Sequence, residues 1–188
     1  MRKVEINVFK FDDLTPEVQK KVLDKHRNFD SDFLQTELNE RFHEMLTDKG
    51  YPNFKVWWSL SSSQGDGVAF EGRLSSADAQ TLAKRLGSDD ELVEQLYEIN
   101  VIHTSRYFHE KSMSVEVQLS DYTEVSDEER KKVSELEAKV LEDISSLSKE
   151  LATEGYSIIE HSQSDETIKE NIEANEYEFY ANGTIFRE

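Results

Sequence analysis

The amino-acid sequence predicts an α+β fold: a sheet of six to eight strands, antiparallel or mixed, with helices packed on it. Three observations carry this. Met113, Val115, Val117 and Leu119 alternate strictly with Ser114, Glu116 and Gln118, as in a half-buried antiparallel strand. Phe33, Leu34, Leu38, Phe42, Met45 and Leu46 recur at three- and four-residue spacings, and so do Val133, Leu136, Val140, Ile144, Leu147 and Leu151. Trp57–Leu60 and Val68–Phe70 flank Asp66-Gly67, a strong hairpin signal.

In chain order, residues 2–11 read as a strand, with Val4, Ile6 and Val8 alternating with polar neighbours. Thr15-Pro16-Glu17 opens a helix, with Thr15 as N-cap and Pro16 at the first helical position. It breaks near 28–32, and a second helix from about Asp32 to Asp48 ends at Gly50. In the hairpin, Val56, Trp58 and Leu60 share one face, with Val68, Phe70 and Leu74 on the partner strand. Trp57 then points the other way, either under a helix or outward as an aromatic anchor. Ser75–Asp78 starts a short helix to Leu86, and Gly87–Asp90 starts another over 91–98.

A second hairpin pairs 99–108 with 113–120. Arg106, Tyr107, Phe108 and His109 make an aromatic and basic cluster at its tip. The longest helix is expected over 127–153, stopped by Gly155 and followed by a strand at Tyr156–Ile159. A helix over 164–175 and a closing hairpin, 176–181 with 184–186 across Asn182-Gly183, complete the chain. With two prolines and seven glycines there is no room for a flexible linker, so 1–188 is expected to be one domain, more acidic from about residue 120.

Composition removes several chemistries. There is no cysteine, hence no disulfide, zinc–thiolate site, iron–sulfur cluster or cysteine nucleophile. His26, His43, His103, His109 and His161 are scattered without metal-ligand spacing, and no nucleophile elbow, Walker loop or dinucleotide fingerprint occurs. The expectation is a protein that is not an enzyme and uses no metal and no cofactor. Met1–Glu5 is not a signal sequence, and no stretch approaches the ~20 apolar residues of a membrane span.

The net charge is −18, and residues 120–188 hold 19 acidic against 7 basic residues. Such a surface repels nucleic acid and anionic membrane and attracts basic partners. Glu128, Glu135 and Glu142 recur every seven residues on the solvent side of the long helix, about 10 Å apart at ~1.5 Å per residue. Glu166, Glu170 and Glu173 extend the acidity. A carboxylate array can imitate nucleic acid, but DNA carries a charge every ~1.7 Å of axis, so this helix alone is too sparse.

The loop Ser61-Ser62-Ser63-Gln64-Gly65-Asp66-Gly67 holds the remaining chemistry. A carboxylate would repel phosphate, and a lone Asp66 falls short of a calcium ladder. The favoured reading gives Gly65 and Gly67 positive φ, with Asp66 and the serines bonded to backbone amides. The alternative makes Ser61, Ser63, Gln64 and Asp66 the wall of a small-ligand or catalytic pocket. The candidate partner-binding residues are therefore Trp57, Ser63, Gln64, Asp66 and the six glutamates named above.

Three segments together, Phe11–Gln19 (FDDLTPEVQ), Ser63–Phe70 (SQGDGVAF) and Ile172–Phe179 (IEANEYEF), resemble a family of small acidic bacteriophage and prophage proteins without assigned function. The resemblance implies action in a bacterial host cytoplasm. By analogy of class it implies a protein that binds a basic, nucleic-acid-handling host or phage protein, as inhibitors of restriction or CRISPR machinery do. A structural or assembly role in the phage particle is the other possibility it leaves.

Overall fold

The computed structural model describes residues 6–27, 31–120 and 126–187. In chain order the elements are α1 (Pro16–His26), α2 (Ser31–Asp48), β1 (Lys55–Ser59), β2 (Gly67–Ser75), α3 (Ser76–Arg85), α4 (Asp90–Gln95), β3 (Leu96–His103), β4 (Met113–Leu119), α5 (Asp127–Ser162) and α6 (Asp165–Ala174). The chain divides into two compact units, one of Met1–Glu37 with Ser157–Glu188 and one of Leu38–Tyr156.

The larger unit is built on one antiparallel sheet of order β1-β2-β3-β4. Its register pairs Val56 with Phe70, Trp58 with Val68, Leu74 with Ile99 and Val101 with Val115. Val68, Phe70, Leu74, Ile99 and Val101 are consequently buried together. On α5 the apolar stripe Leu136, Val140, Ile144, Leu147 and Leu151 is also buried. Each such side chain contributes roughly 2 kcal/mol of transfer free energy. Two polar contacts hold this helix to the strands: the Ser148 hydroxyl donates to the Val68 carbonyl at 2.5 Å, and Glu137 accepts from the Val117 amide at 3.2 Å.

Tyr51, fully buried, packs edge-on to Phe54 and donates its hydroxyl to Asp143 at 2.6 Å. Arg85 grips the same carboxylate with both terminal nitrogens, at 3.1 and 2.7 Å, and also donates to the Lys49 carbonyl. Burial first, and the hydrogen bond to Asp143 second, push the Tyr51 phenol well above its ordinary value. The network joins the end of α2, the end of α3 and the middle of α5.

The smaller unit has its own core of Phe11, Leu14, Val22, Ile168, Ile172 and Phe179, with Phe9, Val18, Leu23, Tyr177 and Ile185 packed on it. Lys169 of α6 pairs with Asp12 at 2.9 Å, and Arg27 beyond α1 bonds Asp165 and the Gln163 carbonyl.

The sheet of six to eight strands is not present: among the described residues there is one sheet of four. Four expected strands, two of them in the closing hairpin, account for the difference. Tyr156–Ile159 belongs to α5, which continues through Gly155 to Ser162. Of the strand at 2–11, residues 2–5 lie outside the described residues, and the remainder makes a single bridge from Phe9 to Phe179. The closing hairpin reduces to a second bridge, Phe179 to Ile185, around a turn in which Gly183 has φ +83°. Glu176, at φ +52°, interrupts extended backbone just before it. The break expected at 28–32 falls largely outside the described residues. The short helix expected over 91–98 stops at Gln95, and β3 starts at once.

Candidate functional site

The tip of the β1–β2 hairpin is organised by one carboxylate. Asp66 Oδ1 accepts from the Ser59 hydroxyl at 2.6 Å. Its Oδ2 accepts from the amides of Ser61 (2.7 Å) and Ser63 (2.6 Å) and from the Ser61 hydroxyl (2.9 Å). Ser61 and Ser63 also bond to each other at 2.8 Å. This fan of donors explains the backbone, in which Ser62, Gly65 and Gly67 take φ of +61°, +89° and +149°. The Ser59 hydroxyl bond, then the Ser63 amide and the two Ser61 donors, hold the Asp66 carboxyl down to about 2. A carboxylate so acidic is a poor base at neutral pH, and its lone pairs are already taken. The loop is thus stapled from within, as the favoured reading of its residues expects. Gln64 stands exposed at its outer edge.

The neighbouring tip, residues 104–109, leans on this loop. The Phe108 amide donates to the Gly65 carbonyl at 3.2 Å. The Tyr107 ring lies across Gly65 so closely that an added Cβ would sit 2.4 Å from its Cδ1, and a Cβ on Gly67 would sit 2.5 Å from the Phe108 carbonyl oxygen. Both glycines are therefore required twice, for conformation and for space.

Trp57 takes neither of the positions expected for it. It lies half-buried against the second tip, its ring parallel to Phe108 at 6.4 Å and tilted against His103 at 6.3 Å. Lys55 sits 3.7 Å above the indole, two residues along the same strand face. Arg106 covers the Tyr107 ring at 4.8 Å and donates to its hydroxyl at 2.7 Å. Trp58, on the core side, meets Phe42 edge-on and donates its indole N–H to Asn39 at 2.9 Å. The two tips form a small aromatic platform bearing Lys55 and Arg106, with Tyr107 40% exposed. Reading residue by residue missed Lys55 and His103; the i, i+2 spacing of Lys55 and Trp57 was the available signal.

The acidic candidates fall on two elements. Glu128, Glu135 and Glu142 lie exposed on α5, away from its buried stripe, and Glu135 is 4.0 Å from Lys131. Glu166, Glu170 and Glu173 are exposed on α6, in the smaller unit, with Glu173 3.7 Å from Lys169. In the larger unit, 24 acidic residues face 13 basic ones. Among the described residues Arg41, Lys49, Lys55, Arg73, Arg85, Lys131 and Lys132 are each drawn into an ion pair. That leaves a large excess of carboxylates facing solvent. Among the described residues no group of three potential metal ligands occurs, and no helix is long and apolar enough to cross a membrane.

Comparison with known proteins gives one match: a family model described as a domain of unknown function (DUF8835) covers residues 35–169. No curated protein and no solved structure matches the chain.

Proposed function

We propose that this chain, which belongs to the DUF8835 family, is a non-catalytic binding protein for a basic protein partner. The observation that supports this most is the charge arrangement of the larger unit. Most of its cations are neutralised by neighbouring carboxylates, while Glu128, Glu135 and Glu142 repeat along one exposed side of α5. Such a field steers a cationic surface toward the helix over a Debye length of about 10 Å. The exposed ring of Tyr107, at the tip that packs on Trp57, adds aromatic contact area that long-range charge alone lacks.

The resemblance to phage proteins directs the proposal further. The partner is a nucleic-acid-handling protein of a bacterial host cytoplasm, a defence nuclease included, whose basic groove the carboxylates occupy in place of DNA. Against a pocket built on the serine-rich loop stands the bonding of Asp66, whose oxygens already serve Ser59, Ser61 and Ser63.

The test is affinity capture from bacterial lysate at low salt, with the wild-type chain beside Glu128→Gln/Glu135→Gln/Glu142→Gln. The wild type should retain a basic nucleic-acid-binding protein that elutes as salt rises. The triple variant, folded by circular dichroism, should lose most of it. Equal capture by both chains, or capture indifferent to salt, rejects the reading.

A further inference from the structure

The smaller unit contains a groove whose chemistry runs against the charge of the chain. It lies between the last turn of α1 and the turn near the end of the described chain, and is lined by Lys25, His26, Tyr180, Thr184, Ile185 and Arg187. Its volume is about 410 Å³, within the range of about 300–1,000 Å³ typical of small-molecule sites. Among the described residues no acidic side chain lines it, although this unit carries 16 acidic against 9 basic side chains.

Arg27 and Lys169 hold carboxylates, whereas Lys25 and Arg187, like Lys10, Lys20 and Lys21, form no ion pair with any described residue. The site is also shaped rather than loose. His26 donates Nδ1–H to the Val22 carbonyl at 2.8 Å, and its ring is fixed against Tyr177 and Phe179 at 6.1 and 6.3 Å. Tyr180 meets Phe186 edge-on at 5.6 Å, and the turn that carries Thr184 closes with Tyr180 N–H on the Thr184 carbonyl at 2.8 Å. Gly183 permits that turn to press on α1, since a Cβ there would lie 2.9 Å from Val22.

We propose that this groove binds a small organic anion, a phosphate or carboxylate head on a short apolar body. Lys25 supplies a point charge and Arg187 a planar fork that matches either head group. Thr184 and Tyr180 add hydroxyl donors, while Ile185 and the Tyr180 ring take the apolar part. The carbonyls that end α1 carry the negative pole of the helix, so the attraction comes from these side chains and not from the helix. This site is independent of the partner surface on the larger unit.

The experiment titrates phenyl phosphate and benzoate, separately, into the isotopically labelled full chain at low salt, followed by amide chemical shifts. Saturable binding of at least one probe is expected, with shifts concentrated at Lys25, His26 and 180–187. Whichever probe binds more tightly identifies the head group. Lys25→Ala/Arg187→Ala, two exposed positions, should weaken it at least about tenfold, the scale of a lost charge-assisted contact. Lys20→Ala/Lys21→Ala, with the same change of net charge outside the groove, should bind as the wild type does. Saturation by neither probe, shifts scattered elsewhere, or equal loss in both double variants overturns the site.

Discussion

Leu46-Thr47-Asp48-Lys49-Gly50-Tyr51 and Leu151-Ala152-Thr153-Glu154-Gly155-Tyr156 read nearly alike, yet one ends a helix and the other passes through its middle. At the first, Gly50 has φ +88°, its amide donates to Thr47 and the Tyr51 amide reaches back to Leu46. That is a Schellman closure, and nothing lies within 4 Å of where a Cβ would be. At the second, Gly155 is helical, and a Cβ would lie 2.4 Å from Leu60 Cδ1 and 2.8 Å from Phe42 Cζ. Gly50 is needed for its backbone freedom, Gly155 for the room it leaves beside the sheet. Gly67, with φ +149° and the Phe108 carbonyl against it, is needed for both.

Alanine at each position separates these causes. Gly67→Ala should cost the most, about 3 kcal/mol, since crowding against a carbonyl oxygen adds to unfavourable backbone. Urea unfolding that shows under 1 kcal/mol would mean the two hairpin tips part easily. Gly155→Ala comes next. An uncrowded helix would gain about 1 kcal/mol from alanine, so a net loss of about 1–2 kcal/mol is the signature of a filled space. Truncating Leu60 in the same chain should recover part of the loss, and a stabilised Gly155→Ala would break the distinction from Gly50. Gly50→Ala, with open space around it, should cost about 1 kcal/mol from backbone conformation alone, and Gly50→Asn less.

The serine-rich tip adds a titration. The Asp66 carboxyl is held down to about 2 when folded, against about 3.9 in an unfolded chain. Its contribution is therefore complete above about pH 5 and disappears as the pH falls from about 4 toward 2. The difference in urea midpoint between wild type and Asp66→Ala should be constant from neutral pH to about 5 and shrink below it. A difference unchanged at about pH 2.5 would show that the carboxylate is not the staple.

Much of the larger unit was legible because its signals are local. Alternation in β4, capping at Asp89, and the Asp66-Gly67 turn each depend on residues close in sequence. Gly155 was misread because its reason lies in Leu60 and Phe42, about a hundred residues away, and because a glycine before tyrosine looks the same in either role. One local clue did separate the two segments: Pro52 follows Gly50 by two residues, whereas Ser157 follows Gly155. The closing hairpin failed differently. Its turn forms, but the Schellman closure of α6 sets Glu176 at φ +52°, with the Tyr177 amide on the Ile172 carbonyl, and leaves little extended chain to pair. Of the candidate site, the bonding of Asp66 was readable from residue types. The stacking of Trp57 on Phe108 was not, since it joins two hairpins whose relative placement no short motif encodes.

Tyr51 gives the larger unit a built-in optical marker. Its phenol is kept neutral by burial and by the Asp143 carboxylate, while an unfolded chain would ionise it near pH 10. In alkaline solution the native protein thus withholds one chromophore from the phenolate band. The missing absorbance arrives only when α2, α3 and α5 come apart. Because the unfolded state alone releases that proton, rising pH above about 10 also favours the opening it reports.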